Sequence, residues 1–179
     1  MANQHRNLRL PPLEELKEFL DYNPDTGVII WKKKTAITSP IKIGQEAGYE
    51  KVKTETLSYR EIKFNKTLYK AHRLAYYMYH GIDPSNNDID HEDRNGLNNK
   101  INNLRPATRL ENGRNRKFQK NNTSGITGVC WHKNRKKWMA TIKIYGKQKY
   151  LGSYINKEDA AQARKEAEKK YFGKFRRKD

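Results

Sequence analysis

Ile89-Asp90-His91 … Asn103-Leu104-Arg105 … Glu111-Asn112 is the stretch that decides the fold class of this 179-residue chain. Residues 89–91 read as a brief strand. Residues 92–103 are rich in Asn, Asp and Gly and read as a compact loop. Residues 104–108 are the return strand, and 109–116 begin a helix. Strand, loop, strand and helix make a ββα unit. Within it an acid and a histidine stand side by side, with one asparagine 12 residues after the histidine and another 21 after it.

Working upstream, Leu74, Tyr77 and Met78 fall on one face of a helix over 72–80, and Gly81 is placed as its C-cap. Residues 35–70 contain further short strands joined at Gly44 and Gly48, in no order that the pattern fixes. Asn23-Pro24-Asp25-Thr26-Gly27 is a turn, and a strand over 28–31 leaves it. Leu13, Leu16, Phe19 and Leu20 space a short amphipathic helix after Pro11-Pro12.

Downstream, residues 117–123 form a polar linker. A strand over 126–132, a turn at 134–136 and a strand over 137–145 follow. The second strand alternates, with Trp138, Ala140, Ile142 and Ile144 on one face and Met139, Thr141, Lys143 and Tyr145 on the other. Gly146-Lys147 turns into a third strand over 148–154. Asn156 can cap a helix that runs to about Phe172, with Asp159 at its third position. Ala160, Ala163, Ala167 and Tyr171 form a small-residue stripe able to lie close on the sheet. One helix covers one sheet face, so the face carrying Lys143 stays open. Trp31, Trp131 and Trp138 read as core residues.

The formal charge is +18, which favours a polyanionic partner. Residues 117–179 hold 18 Lys and Arg against 5 Asp and Glu; residues 1–116 hold 20 against 15. A basic module therefore follows a near-balanced one, whose acids cluster between Asp83 and Asp93. A protein that only binds phosphates has little use for acids there, whereas a metal site needs them. Aromatic residues, 11% of the chain, argue against disorder. The one cysteine, Cys130, excludes an internal disulfide and a Cys-based zinc cluster, and fits an intracellular setting. No run approaches about 18 apolar residues, so no membrane span is expected. Met1–Arg9 lacks the apolar core of a signal peptide.

Phosphodiester hydrolysis needs an activated water and a stabilised phosphate. A neutral histidine can take the water proton. A hard ion such as Mg²⁺ prefers oxygen ligands and keeps several waters, so one carboxylate and one amide oxygen can suffice. Asp90 and His91, adjacent on a strand, point to opposite sides of it and cannot share one role.

The segment Ala71-His72-Arg73-Leu74 … Ile89-Asp90-His91-Glu92-Asp93 … Asn98-Asn99-Lys100-Ile101-Asn102-Asn103-Leu104-Arg105 … Thr108-Arg109-Leu110-Glu111-Asn112 resembles the phage and intron-encoded HNH homing endonucleases, in the subgroup whose last signature His is Asn. The likeness covers about residues 20–116. It implies a ββα-metal fold, with His91 as general base, Asp90 and Asn112 as ligands of one divalent metal (Mg²⁺ or Mn²⁺), and Asn103 cross-linking the loop to orient the histidine. His72 is a further candidate, for phosphate contact, leaving-group protonation or simply a helix cap. Arg94 stands where the family has Gly, with Gly96 two places on. Either the turn has shifted or Arg94 reaches a phosphate. Arg105 and Arg114 are likewise expected at DNA. Asp93 is expected to stabilise the loop rather than bind metal.

Ser124-Gly125-Ile126-Thr127-Gly128-Val129 … Trp131 … Lys137-Trp138 … Tyr150-Leu151-Gly152-Ser153-Tyr154 … Asp159-Ala160-Ala161-Gln162-Ala163 resembles the plant ethylene-response-factor type of DNA-binding domain, whose sheet enters the major groove. The likeness implies contacts from Cys130, His132, Thr141, Lys143, Gln148 and Tyr150. Plant members often carry Arg at the position of Cys130 and Glu at that of Thr141, so base readout does not transfer. Arg135, Lys136, Lys137, Lys147 and Lys149 suit phosphate contacts. Neutralising about 6 phosphates gives a log–log salt slope near −5.

The expected architecture is α+β: a ββα-metal nuclease domain over 1–116, the linker 117–123, and a three-stranded antiparallel sheet with one helix over 124–179. The expected function is sequence-preferring, metal-dependent cleavage of double-stranded DNA in a phage-infected cell, without membrane or small-molecule organic cofactor. The alternatives are a DNA-binding regulator with an inactive nuclease domain and a basic RNA-binding protein.

Overall fold

The computed structural model describes residues 9–55, 57–114 and 122–176. The fold is α+β, with small antiparallel sheets and four α-helices among the described residues. It divides into two compact units, Met1–Arg109 and Leu110–Asp179. The linker expected at 117–123 falls mostly outside the described residues, as do the last two residues of the helix expected at 109–116.

In the first unit, α1 (Leu13–Phe19) starts behind Pro12, whose fixed φ suits a helix entry. It stops one residue earlier than its apolar spacing predicts. Leu20 turns extended and opens β1 (Leu20–Tyr22), which pairs antiparallel with β2 (Ile29–Trp31). Buried Leu16, Leu20, Ile29, Trp31, Ile62, Phe64 and Leu74 form the core. Each fully buried side chain of this kind stabilises by about 1.5–3 kcal/mol relative to exposure. Phe64 stacks with Trp31 and meets Phe19 edge-on.

The strands expected between 35 and 70 begin later than the sequence suggests. Between β2 and residue 48 there is only an isolated bridge, Ile30 to Glu46. Then β3 (Tyr49–Thr54), β4 (Leu57–Phe64) and β5 (Thr67–Lys70) form a three-stranded meander. Ile62 and Phe64 point into the core, so the odd-numbered residues of β4 face the other way. Next comes α2 (Ala71–His80), closed by Gly81 in the left-handed region as its sequence predicts. It packs against β1, β4, β5 and β6 (Asp88–His91). After a 3₁₀ turn at Ile101–Asn103, β7 (Leu104–Ala107) returns antiparallel to β6, and α3 (Arg109–Arg114) follows.

The second unit holds a sheet in the order β10-β9-β8 with α4 packed on all three strands. Here β8 (Val129–His132) starts three residues later than expected, because Gly128 takes φ +75° and breaks the extended run. β9 (Lys137–Ile144) and β10 (Lys147–Tyr154) complete the sheet. Ala140 and Ile142 of β9 are buried beneath Ala160 and Ala167 of α4 (Lys157–Phe172). Asn156 holds the N-cap position but accepts no backbone bond. Its amide reaches the Asp159 carboxylate at 3.4 Å instead. Arg164 is buried in this unit: it donates to the Thr141 carbonyl and to Glu168. A Cβ at Gly128 would stand 2.5 Å from that guanidinium, so Gly128 serves both the turn and the packing. Trp131 differs from expectation. It is 46% exposed, with its ring edge-on to Trp138.

Candidate active site

Cross-strand pairing sets the two sides of the site. In the β6–β7 ladder Asp90 opposes Arg105 and His91 opposes Leu104. Facing residues share a side, so Asp90 meets the arginine. Arg105 donates to Asp90 Oδ2 through Nε at 3.1 Å and Nη2 at 2.9 Å. Its Nη1 lies 3.8 Å from Glu92. Both side chains of the Asp90–Arg105 pair are nearly buried. The nearly buried Asp90 carboxylate opposite thus holds the guanidinium that its sequence position offers to DNA.

On the other side of β6, the His91 ring packs edge-on to His72 with centroids 4.8 Å apart. Tyr59 of β4 lies 5.6 Å from His72 and 6.0 Å from His91. His91 Nε2 is 3.0 Å from Asn99 Oδ1. An amide oxygen can only accept, so the proton sits on Nε2 and the lone pair on Nδ1. Burial holds His91 below the ordinary imidazole pKa; the Asn99 bond, Asp93 and Asp90 raise it without restoring it, and Lys70 lowers it again. Its imidazole is thus held in the neutral form at neutral pH.

His72 is buried, and its Nδ1 has no hydrogen-bond partner among the described residues. Burial, then His91, Lys70 and Arg73, hold its pKa well below the usual value. A neutral ring there is a wall for His91.

The loop over 92–103 is built from side-chain bonds to its own backbone. Asp93 Oδ1 accepts from the Asn95 N–H at 2.8 Å and the Asn103 amide at 2.9 Å, and Oδ2 from the Asn98 amide at 2.7 Å. Asn103 also donates to the Asn98 carbonyl and accepts from the Asp93 N–H. Burial raises the Asp93 pKa, but the Asn98, Asn95 and Asn103 bonds outweigh it and keep the carboxyl below its ordinary value. Asn103 thus cross-links the loop, while Asn99 touches the histidine.

Asn99 is a residue whose role the sequence leaves unmarked, since nothing in the run Asn98-Asn99 … Asn102-Asn103 singles it out. Its carbonyl accepts from the Tyr22 hydroxyl at 2.7 Å, and the neighbouring Ile101 N–H donates to Pro24. A Cβ at Gly27 would lie 2.6 Å from the Asn99 carbonyl carbon, so the 23–27 turn supports the loop directly. Arg94 takes φ +66°, and its N–H bonds to the His91 carbonyl at 3.0 Å. The turn has therefore stayed where a glycine would make it. Gly96 has a separate reason to be glycine: a Cβ would run into the Ser58 carbonyl and stand 2.7 Å from the Tyr59 ring.

Asn112 is half-buried on α3, beyond the boundary between the two units. Arg114 closes that helix, and its side chain lies outside the described part. Asp90 carries a carboxylate and Asn112 an amide oxygen, each a hard donor of the kind that Mg²⁺ takes. Among the described residues no group of three or more His, Cys, Asp or Glu is placed to hold a metal.

In the second unit, strand register gathers the other sequence-derived positions. His132 pairs with Lys137, Cys130 with Met139, Thr141 with Tyr150 and Lys143 with Gln148. Cross-strand partners share a face, so these residues line the side of the sheet opposite α4. Lys143, Gln148 and Tyr150 are exposed there, and exposed Arg135 lies in the hairpin turn.

A family model described as HNH endonuclease matches residues 69–114. A protein of Escherichia phage T7 named Protein 3.8 is 42% identical over 89 residues, which cover 48% of this chain and 74% of the T7 protein. The chain belongs to the family of phage T7 Protein 3.8. It carries an HNH endonuclease domain at residues 69–114. No solved structure matches it. The HNH match encloses His72, Asp90, His91, Asn99, Asn103 and Asn112. It begins after Tyr22, Gly27 and Tyr59, which brace this domain from outside it. The likeness to a plant DNA-binding domain has no counterpart in these matches. No described helix is long and apolar enough to cross a membrane.

Proposed function

We propose that the protein is a metal-dependent DNA endonuclease that hydrolyses phosphodiester bonds in duplex DNA, with His91 as general base. One observation carries this: the buried His91 imidazole, held below its ordinary pKa, is oriented by the 3.0 Å contact of its Nε2 with Asn99 Oδ1. That is the state in which a histidine can accept a proton from water. His72 and Tyr59 set the plane of the ring. The Asp93–Asn98–Asn103 bonds fix the loop that carries Asn99. Asp90, oriented by Arg105, and Asn112 would hold one divalent ion, Mg²⁺ or Mn²⁺. Such an ion supplies charge to the scissile phosphate and the leaving oxygen.

The second unit supplies binding. His132, Arg135, Lys137, Thr141, Lys143, Gln148 and Tyr150 lie on or beside the open sheet face, and residues 117–179 carry 18 Lys and Arg against 5 Asp and Glu. This face suits the groove of a DNA duplex, as in the plant domain it resembles. Arg94 and Arg114 are further DNA contacts. Nuclease residues 1–116, joined by 117–123 to binding residues 124–179, make a sequence-preferring enzyme of the homing type.

A regulator with an inactive nuclease domain is the second reading. It is favoured by the Arg105–Asp90 pair, which partly neutralises the carboxylate expected to hold the metal. Incubation with supercoiled plasmid and with phage DNA, under Mg²⁺, Mn²⁺ or EDTA, separates the two. The endonuclease cuts in metal and not in EDTA. The regulator binds in both and cuts in neither.

A further inference from the structure

We propose that Lys70, seated on the Tyr59 ring, binds a backbone phosphate of the strand being cut and positions it for His91. The inference rests on the endonuclease reading and adds a contact to the same site. Lys70 ends β5, two residues before His72. Its Nζ lies 4.2 Å from the Tyr59 centroid. That ring borders both His72 and His91, so one aromatic side chain separates the ammonium from the base.

Glu61 and Asp88 act on this cation electrostatically. Its register partner on β4 is Glu61, whose carboxylate is 3.4 Å from the Tyr49 hydroxyl. Among the described residues no carboxylate forms an ion pair with Lys70. Burial, then the charge of Lys53, lowers its pKa from the ordinary lysine value; Glu61 and Asp88 raise it without restoring it. A half-buried ammonium that a second ammonium repels is costly unless an anion arrives to meet it. Lys51 pairs with Tyr59 across β3–β4, so it lies on the same sheet face. That face is the one turned away from the Ile62 and Phe64 core. Lys51 therefore adds a further positive charge to that face. Cation–π contact holds the ammonium at the ring without neutralising it, and its charge remains for the phosphate.

The test uses the full chain with Lys70→Met, Lys70→Arg and, as a control, Lys34→Met in the exposed loop after β2. The first readout is binding to a mixed-sequence duplex oligonucleotide in EDTA, as a function of salt. Loss of one phosphate contact reduces the log–log slope by about 0.9. Lys70→Met should show that reduction; Lys70→Arg and Lys34→Met should not. The second readout is plasmid cleavage in Mg²⁺, where Lys70→Met should lose about tenfold or more in kcat/KM and Lys70→Arg should regain most of it. Thermal melting confirms that each variant is folded, and Lys70→Gln replaces the Met variant if that one is not. An unchanged slope and an unchanged cleavage rate in a folded Lys70→Met or Lys70→Gln overturn the inference. Absence of cleavage by the wild type instead overturns the endonuclease reading, and the salt slope still reports on Lys70.

Discussion

Asn99 Oδ1 stands 3.0 Å from His91 Nε2, and the Asn99 main-chain oxygen is held in turn by the Tyr22 hydroxyl. The His91 imidazole is thus oriented by a residue fixed from the N-terminal hairpin. Removing the Asn99 side chain should leave its backbone anchored while freeing the imidazole to rotate and change tautomer. Asn99→Ala should lower kcat by about 10–100-fold, the usual cost of losing such a supporting partner, with little change in KM. Asn99→Asp should behave differently. A carboxylate stabilises the imidazolium, raises the His91 pKa and moves the acid limb of the rate profile to higher pH. Rate profiles of both variants measure this.

Two buried imidazoles make stability depend on pH. His72 and His91 both bind a proton less readily in the fold than in the unfolded chain. Below the unfolded histidine pKa of about 6.5 the unfolded state therefore holds more protons, and stability falls as the pH is lowered further. Above that pH the contribution is fully present. Melting temperature should drop between about pH 6.5 and 5, before carboxylates titrate, and His72→Phe should flatten the slope. A slope equal to wild type in His72→Phe would assign the effect elsewhere.

The glycine-like turn of the 92–103 loop gives opposite outcomes at neighbouring positions. Arg94 holds a left-handed φ that costs a non-glycine residue about 1–2 kcal/mol, so Arg94→Gly should be neutral or stabilising despite the entropy glycine adds to the unfolded chain. Gly96→Ala should destabilise by about 1–3 kcal/mol, because its methyl meets the Ser58 carbonyl and the Tyr59 ring. Chemical denaturation of the two variants checks both signs.

Arg105 tests whether the Asp90 side of the site is structural. Arg105→Ala leaves a buried carboxylate without its cation and should cost about 3–5 kcal/mol. Because the guanidinium is committed to Asp90, the salt dependence of DNA binding should stay at the wild-type slope. A reduced slope with unchanged stability would return Arg105 to the DNA-contact role that its sequence position suggests.

Much of this site is legible in the sequence, for a physical reason. Asp90, His91 and Asn103 lie within one short ββα segment, where turn chemistry and strand parity fix their mutual placement. Gly81 and the alternation of residues 138–144 are equally local signals. Asn99 is not legible, because its meaning comes from Tyr22 and Gly27, more than 70 residues upstream. Tyr59 and Lys70 depend on the register of β3–β4–β5, which apolar spacing in 35–70 does not determine. The Arg105–Asp90 pair follows from a one-to-one ladder register that loop composition alone leaves open. Trp131 shares its sheet face with buried Val129, so its exposure follows from its place near the end of β8 and not from strand parity, the one signal the hydrophobic pattern carries.

Cleavage of supercoiled plasmid and phage DNA by wild type and His91→Ala, at matched concentration in Mg²⁺ or Mn²⁺ with an EDTA control, tests the central claim most directly. The account predicts metal-dependent cutting by the wild type, lost in EDTA and lost in His91→Ala while salt-sensitive DNA binding persists. Equal cutting by His91→Ala, or binding without cutting by the wild type on every substrate, would contradict it.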